Sequence, residues 1–175
     1  MFEVMTRSSA ARHNDFPPLS LRPLGPGDEI LLQRFFQTHT AETILMRYGY
    51  AVKEMTPARA RELVNVNLQR DAVWAFLIDH PGQPSEIVAV GRFFGDPKGQ
   101  GAEFALVVAE SMRRRGLGRK LLTRLKKSAR ELGFNHLWGS VRPDNHPMRR
   151  LMEKAGAHPA TDADGMLRYR LDISR

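Results

Sequence analysis

Val107-Val108-Ala109-Glu110-Ser111-Met112-Arg113-Arg114-Arg115-Gly116-Leu117-Gly118-Arg119 is the stretch on which the reading of this chain turns. The apolar run Ala102 to Ala109 predicts a strand. Beyond the turn, Leu117, Leu121, Leu125, Ala129 and Leu132 recur at helical spacing. Two glycines two residues apart therefore stand where a strand gives way to a helix. The first amide groups of a helix lack internal partners and lie at the positive end of its dipole. A pyrophosphate fits such a seat. Glycine lets its oxygens approach the backbone without meeting a Cβ, and Arg113, Arg114, Arg115 and Arg119 add fixed positive charge. No Walker loop is present, and the dinucleotide pattern Gly-x-Gly-x-x-Gly fails because position 121 is leucine. A plain turn before a solvated basic helix accounts for the glycines, but not for strand, arginines and helix coming together.

Upstream, Leu19 to Leu24 predicts a first strand, ended by Pro23 and Gly25-Pro26-Gly27. Asp28 is placed to cap a helix running to about Gln37, and Thr40 a second through Met46. Thr56-Pro57 opens a third, to about Leu68. The apolar runs Val73–Ile78 and Glu86–Phe94 form a hairpin across Asp79-His80-Pro81-Gly82. Downstream, Gly133 stops the long helix and His136–Val141 is a strand. Asn145 or His146 caps a last helix whose Met148, Leu151, Met152 and Ala155 share one face. Gly165 to Ile173 closes the chain as a strand. Strands that alternate with helices only in the second half predict an α/β fold, a mixed central sheet flanked by helices in three layers. The 175 residues suit one domain over 19–175. The polar segment 1–18 is expected to be a flexible N-terminal arm.

A hydrophobic fraction of 42% and an aromatic fraction of 8% are those of an ordinary globular chain. No apolar run approaches the roughly 20 residues that span a bilayer. Absence of cysteine excludes disulfides, thiolate metal sites and a cysteine nucleophile, and fits a cytoplasmic location. The six histidines are scattered without ligand spacing, so no metal is expected. The net charge of +8 is uneven: Arg113 to Arg130 holds nine basic side chains, a distribution that attracts polyanions. With Arg142, Arg149 and Arg150 it could form a nucleic-acid face. Against that, the strand His136–Val141 separates the two helices where a helix-turn-helix needs a short turn. No aromatic-basic alternation suggests base stacking either.

The pattern Arg113-x-x-Gly116-x-Gly118 resembles the acetyl-CoA motif of the GNAT family of N-acetyltransferases. Leu21-Arg22-Pro23-Leu24, and Asn145 with Glu153-Lys154-Ala155-Gly156-Ala157, extend the resemblance over Leu19 to Ile173. It implies the GNAT fold, with a mainly antiparallel sheet, and acetyl-CoA as cosubstrate. It also implies that the strand backbone at Leu106, Val107 and Val108 pairs with the pantetheine arm. The N–H groups of Arg113, Arg114, Arg115, Gly116, Leu117, Gly118 and Arg119 would hold the pyrophosphate. Asn145 would lie near the thioester, although a simple N-cap explains it equally well. Homodimerisation through a sheet edge or the closing strand is common in the family.

Ala102-Glu103-Phe104-Ala105, Leu31-Leu32-Gln33-Arg34-Phe35-Phe36 and Arg47-Tyr48 resemble the GNAT domain of the bacterial Pat group, protein lysine acetyltransferases that modify acyl-CoA synthetases. That resemblance implies a protein lysine as acceptor and Glu103 as general base. An ammonium must lose a proton before it attacks a thioester, and a carboxylate in an apolar setting has the raised pKa to take it. Glu103 is the ionisable group of its apolar strand; the competing reading makes it the strand's first solvated residue. A small amine is the alternative acceptor, but outside Glu103 and Glu110 no acidic cluster favours one. Many family members protonate the departing thiolate with a tyrosine, in the context Leu-Tyr-Glu-Lys. That position is Met152 here, so this acid is absent; His146 is a nearby substitute, and a CoA-binding module without turnover is a third reading.

Overall fold

The computed structural model describes residues 18–174 except 98, 162 and 163, so the expected N-terminal arm falls almost wholly outside the described residues. The elements are β1 (Leu19–Pro23), α1 (Glu29–Gln37), α2 (Ala41–Tyr48), α3 (Pro57–Val64), β2 (Asp71–Ile78), β3 (Glu86–Gly95) and β4 (Gly101–Val108). A single 3₁₀ turn (Glu110–Met112) then leads to α4 (Leu117–Glu131), β5 (His136–Val141), α5 (His146–Lys154), β6 (His158–Thr161) and β7 (Leu167–Asp172). The seven strands lie in the order β1-β2-β3-β4-β5-β7-β6. Every neighbouring pair is antiparallel except β4 and β5, which are parallel. The sheet is mixed and mainly antiparallel, with α1–α3 on one face and α4 and α5 on the other, as the sequence predicts.

The apolar stripe of α4 explains its seat. Leu121, Leu125 and Ala129 are fully buried, and full burial of a leucine stabilises by about 1.5–3 kcal/mol. Gly91 of β3 lets the helix come close, since a Cβ there would lie 3.1 Å from Leu125 Cδ1. Of its basic residues Arg119, Lys120, Lys127 and Arg130 are exposed, whereas Arg124 lies over the Trp74 ring at 3.7 Å. Thr40 and Thr56 cap α2 and α3 as expected, accepting from the amides of Thr43 and Arg59, each at 3.2 Å.

Three local expectations are corrected. Asp28 precedes α1 but makes no capping bond. Its carboxylate turns back to the Arg22 guanidinium at 2.7 and 2.9 Å and to the Gly25 amide at 3.0 Å, and the bonds from Arg22 hold its pKa below the usual carboxylate value. α3 ends at Val64, four residues before Leu68, whose side chain is exposed. β6 was not foreseen: its four residues are all exposed, so no burial pattern marks it, and its Pro159 is tolerated because β6 is an edge strand.

Candidate active site

β4 and β5 run side by side only from Gly101↔His136 to Glu103↔Trp138. Beyond that register they part. Ala102 to Val108 remain paired to β3 on the other side, so from Phe104 onward one edge of β4 presents unpaired amide and carbonyl groups toward the gap. Gly139 sits at the vertex, where a Cβ would lie 2.9 Å from the Phe104 carbonyl oxygen. The gap opens into a cleft of about 580 Å³ walled by β4, β5, α2, α5 and the turn before α4. Leu106, Val107 and Val108 line it, within reach of an extended ligand that bonds to their open edge. From Glu103 to Val108 the strand spans about 17 Å at the usual rise per residue.

The far end of the cleft is the glycine turn. Gly116 caps α4 with φ +79°, and Arg114 takes a left-handed φ of +61°, a conformation that costs a non-glycine residue about 1–2 kcal/mol. Two left-handed positions within three residues curl the backbone so that successive amides face one concavity, an anion seat. Gly118 lies in the first turn of the helix, also on the cleft. The Lys120 amide donates to the Gly116 carbonyl at 3.0 Å, which closes the first helical turn; the amides before it have no partner within the helix. The residues fit a pyrophosphate.

The seven turn residues are not equivalent. Arg113, Arg114, Gly116, Leu117, Gly118 and Arg119 line the cleft, whereas Arg115 is exposed and does not. The Arg113 amide donates to the Glu110 carbonyl at 3.3 Å, and its guanidinium donates to Thr43 Oγ1 at 2.6 Å. Arg113 thus ties the turn to α2. Asn145 also lines the cleft. Its Oδ1 accepts from the Met148 amide at 3.2 Å, the N-cap role, so only its NH₂ group is left for a ligand. Met152 is fully buried in the core and does not reach the cleft, which its neighbours Met148 and Leu151 line instead.

Glu103 stands at the vertex, exposed, and outside the wall of the cleft itself. Its setting differs from the apolar one expected. The half-buried Arg47 and Arg92 both feel its charge, and burial pushes each guanidinium below its ordinary value. Arg47 lines the cleft on the α2 side.

The sequence shows Glu110 as an acidic residue near Glu103 but not its network, because its partners lie about 70 residues away. Its Oε1 accepts from Thr40 Oγ1 at 2.6 Å, from Thr43 Oγ1 at 2.7 Å and from the Thr40 amide at 3.0 Å. These bonds hold its carboxyl at about 2. Gly139 and Arg92 were also missed, yet each left a signal: a glycine inside a strand pattern marks a close backbone approach, and Arg92 interrupts an apolar run.

Among the described residues no helix is long and apolar enough to cross a membrane, and no three His, Asp or Glu side chains could hold a metal. Residues 38–157 match the family model "Acetyltransferase (GNAT) family". The acetyltransferase Pat of Mycolicibacterium smegmatis is 27% identical over 154 residues, 87% of this chain and 45% of that protein. An acetyltransferase of Pseudomonas aeruginosa is 25% identical over 144 residues, 82% of this chain and 77% of that one. The GNAT domain of Streptomyces lividans Pat superposes with a TM-score of 0.78 at 21% identity, covering 87% of this chain and 89% of that domain, a likeness of fold. The chain spans less than half the length of the mycobacterial Pat it matches. With the family model covering most of its length and the parted strands and glycine turn in place, the chain belongs to the GNAT acetyltransferase family.

Proposed function

We propose that this chain transfers the acetyl group of acetyl-CoA directly to a primary amine, and that the amine is a protein lysine, such as one on an acyl-CoA synthetase. The observation that carries the reading is the parting of β4 and β5 at Glu103↔Trp138. It aligns the phosphate turn, an open strand edge and a carboxylate along one line. The pantetheine arm lies along Leu106, Val107 and Val108, with the pyrophosphate on the amides of Gly116 to Arg119. Glu103 accepts a proton from the incoming ammonium, directly or through water. The neutral amine attacks the thioester carbonyl, the C–N bond forms, and the C–S bond breaks. The nitrogen releases its second proton to solvent as the amide forms, and the thiolate takes up a proton from solvent, since the side chain at the usual tyrosine position is a buried Met152.

The resemblance of the Glu103 stretch to the Pat group, and the similarity to the mycobacterial Pat, favour a protein lysine over a small amine. The test is calorimetric titration with acetyl-CoA and with a dephosphorylated analogue, followed by acetylation of lysine-bearing proteins read by mass spectrometry. Micromolar binding that weakens as phosphates are removed, with labelled lysines on a protein acceptor, is expected. Absence of cofactor binding ends the proposal, and turnover of small amines alone ends its protein-lysine part.

A further inference from the structure

On the sheet face that carries Glu103, the cover of α1–α3 stops at β4. Beyond it, among the described residues, the outward side chains of Ser140, Arg168, Arg170 and His158 on β5, β7 and β6 are exposed and Trp138 is half-buried. The strand registers place Trp138 beside Glu103, Arg170 beside Trp138 and Arg168 beside Ser140. On the other flank of Glu103, Phe94 lies opposite it, with Arg92 two residues along β3. A carboxylate at the vertex is thus framed by guanidinium groups on both sides.

The arginines share one posture. Arg168 lies over the Trp138 ring at 4.7 Å, Arg92 over Phe94 at 5.3 Å and Arg47 over Tyr48 at 4.9 Å. Stacking holds the plane of a guanidinium and leaves its N–H edge for bidentate bonding. Among the described residues no carboxylate lies within ion-pair distance of these three guanidinium groups; the arginine ion pairs there include those of Arg22, Arg59, Arg70, Arg142 and Arg170. Arg47 and Arg92 are partly withdrawn from water and share Glu103 as a neighbouring charge, one carboxylate against two guanidinium groups, and arginine forks match carboxylates. Nucleic acid fits less well, because the rings that bases would stack upon are already occupied by guanidinium groups.

We propose that this uncovered half of the sheet is the acceptor-docking face, and that Arg168 on it, with Arg47 and Arg92 across Glu103 beside the α1–α3 cover, selects a lysine flanked by acidic side chains; the proposal rests on the protein-lysine reading above. The acidic neighbours bind the forks while the lysine ammonium reaches Glu103, the carboxylate between them.

The experiment uses the full chain, acetyl-CoA, and three peptides of equal length with one central lysine flanked by glutamate, glutamine or arginine. The glutamate-flanked peptide is expected to have a KM about tenfold below the glutamine-flanked one, with similar kcat. Salt at about 0.5 M should shrink the difference. In the Arg92→Gln/Arg168→Gln variant the ratio should fall toward one. If that variant does not fold, exposed Arg168→Glu alone carries the same readout. Equal KM values, a preference for the arginine-flanked peptide, or a ratio unchanged in the variants overturns the proposal.

Binding of a labelled glutamate-flanked peptide whose lysine is already acetylated separates the two claims. Binding that the arginine variants abolish, with no peptide turned over, keeps the docking face and rejects the lysine reading. Turnover without charge preference does the reverse. Displacement of the peptide by a single-stranded oligonucleotide of equal charge at lower concentration overturns the docking proposal in favour of a nucleic-acid face.

Discussion

Glu110, in the turn after β4, accepts the Thr40 hydroxyl at 2.6 Å and the Thr40 amide at 3.0 Å, and so completes the N-terminus of a helix 70 residues earlier in the chain. In an ordinary capping box a Glu three residues into the helix satisfies the N-cap amide. Here that position is Thr43, which itself donates to Glu110 and receives a bond from Arg113. The network joins the glycine turn to α2, which supplies Arg47 to the cleft. Glu110→Ala should destabilise the protein by about 1 kcal/mol, the usual worth of a cap at an exposed site. It should also raise the acceptor KM a few-fold. Thermal unfolding with steady-state kinetics measures both; an unchanged Tm would mean that the network contributes nothing.

The same carboxylate sets an acid limit. Its folded pKa of about 2 lies below the ordinary 4.5, so the unfolded chain binds the proton more readily. The stability that Glu110 contributes is complete above about pH 4.5, declines as pH falls below that value, and is gone once pH passes about 2. The Tm difference between the natural protein and Glu110→Ala should therefore close over that interval. A difference that stays constant down to pH 2 would assign the effect to packing instead of charge.

Gly139 tests whether the parting of the strands makes the site. A side chain there meets the Phe104 carbonyl oxygen at 2.9 Å and the Phe104 ring at 3.2 Å. Gly139→Val should cost about 1–3 kcal/mol by overpacking and, by shifting β5 against β4, weaken acetyl-CoA binding. Calorimetric titration with an unfolding curve separates the two effects. Unaltered affinity in a destabilised variant would show that the vertex tolerates movement.

Periodicity carried most of the fold because the decisive elements bury one face: α4 repeats its leucines at helical spacing, and β2, β3 and β4 are apolar runs. β6 gave no such signal, being exposed throughout. The glycine turn was legible because its chemistry is local, lying within seven residues. The partners of Glu110 and Asp28 were not, since their bonds depend on which strand end meets which helix, and a propensity-based cap assignment for Asp28 lost to a bidentate bond with Arg22. The arginines around Glu103 come from α2, β3 and β7, a frame that exists only once the sheet order is known.

Gly116 lies at one end of the cleft and Glu103 at the vertex where β4 and β5 part, and their variants should fail in opposite ways. Glu103→Gln keeps shape and removes the proposed base, so kcat should fall by about 10² or more with acetyl-CoA affinity nearly unchanged. Gly116→Asp places a carboxylate where the proposed site holds phosphate oxygens. Open space surrounds the position, so a Cβ meets no clash, although φ +79° adds backbone strain. The chain should fold, with reduced stability, and bind acetyl-CoA at least about tenfold more weakly through like-charge repulsion. Full activity in Glu103→Gln would move the base elsewhere, Glu42 on the α2 wall being the acidic side chain next in line. Retained affinity in Gly116→Asp would instead detach the pyrophosphate from α4, and with it the direction in which the cofactor lies along β4.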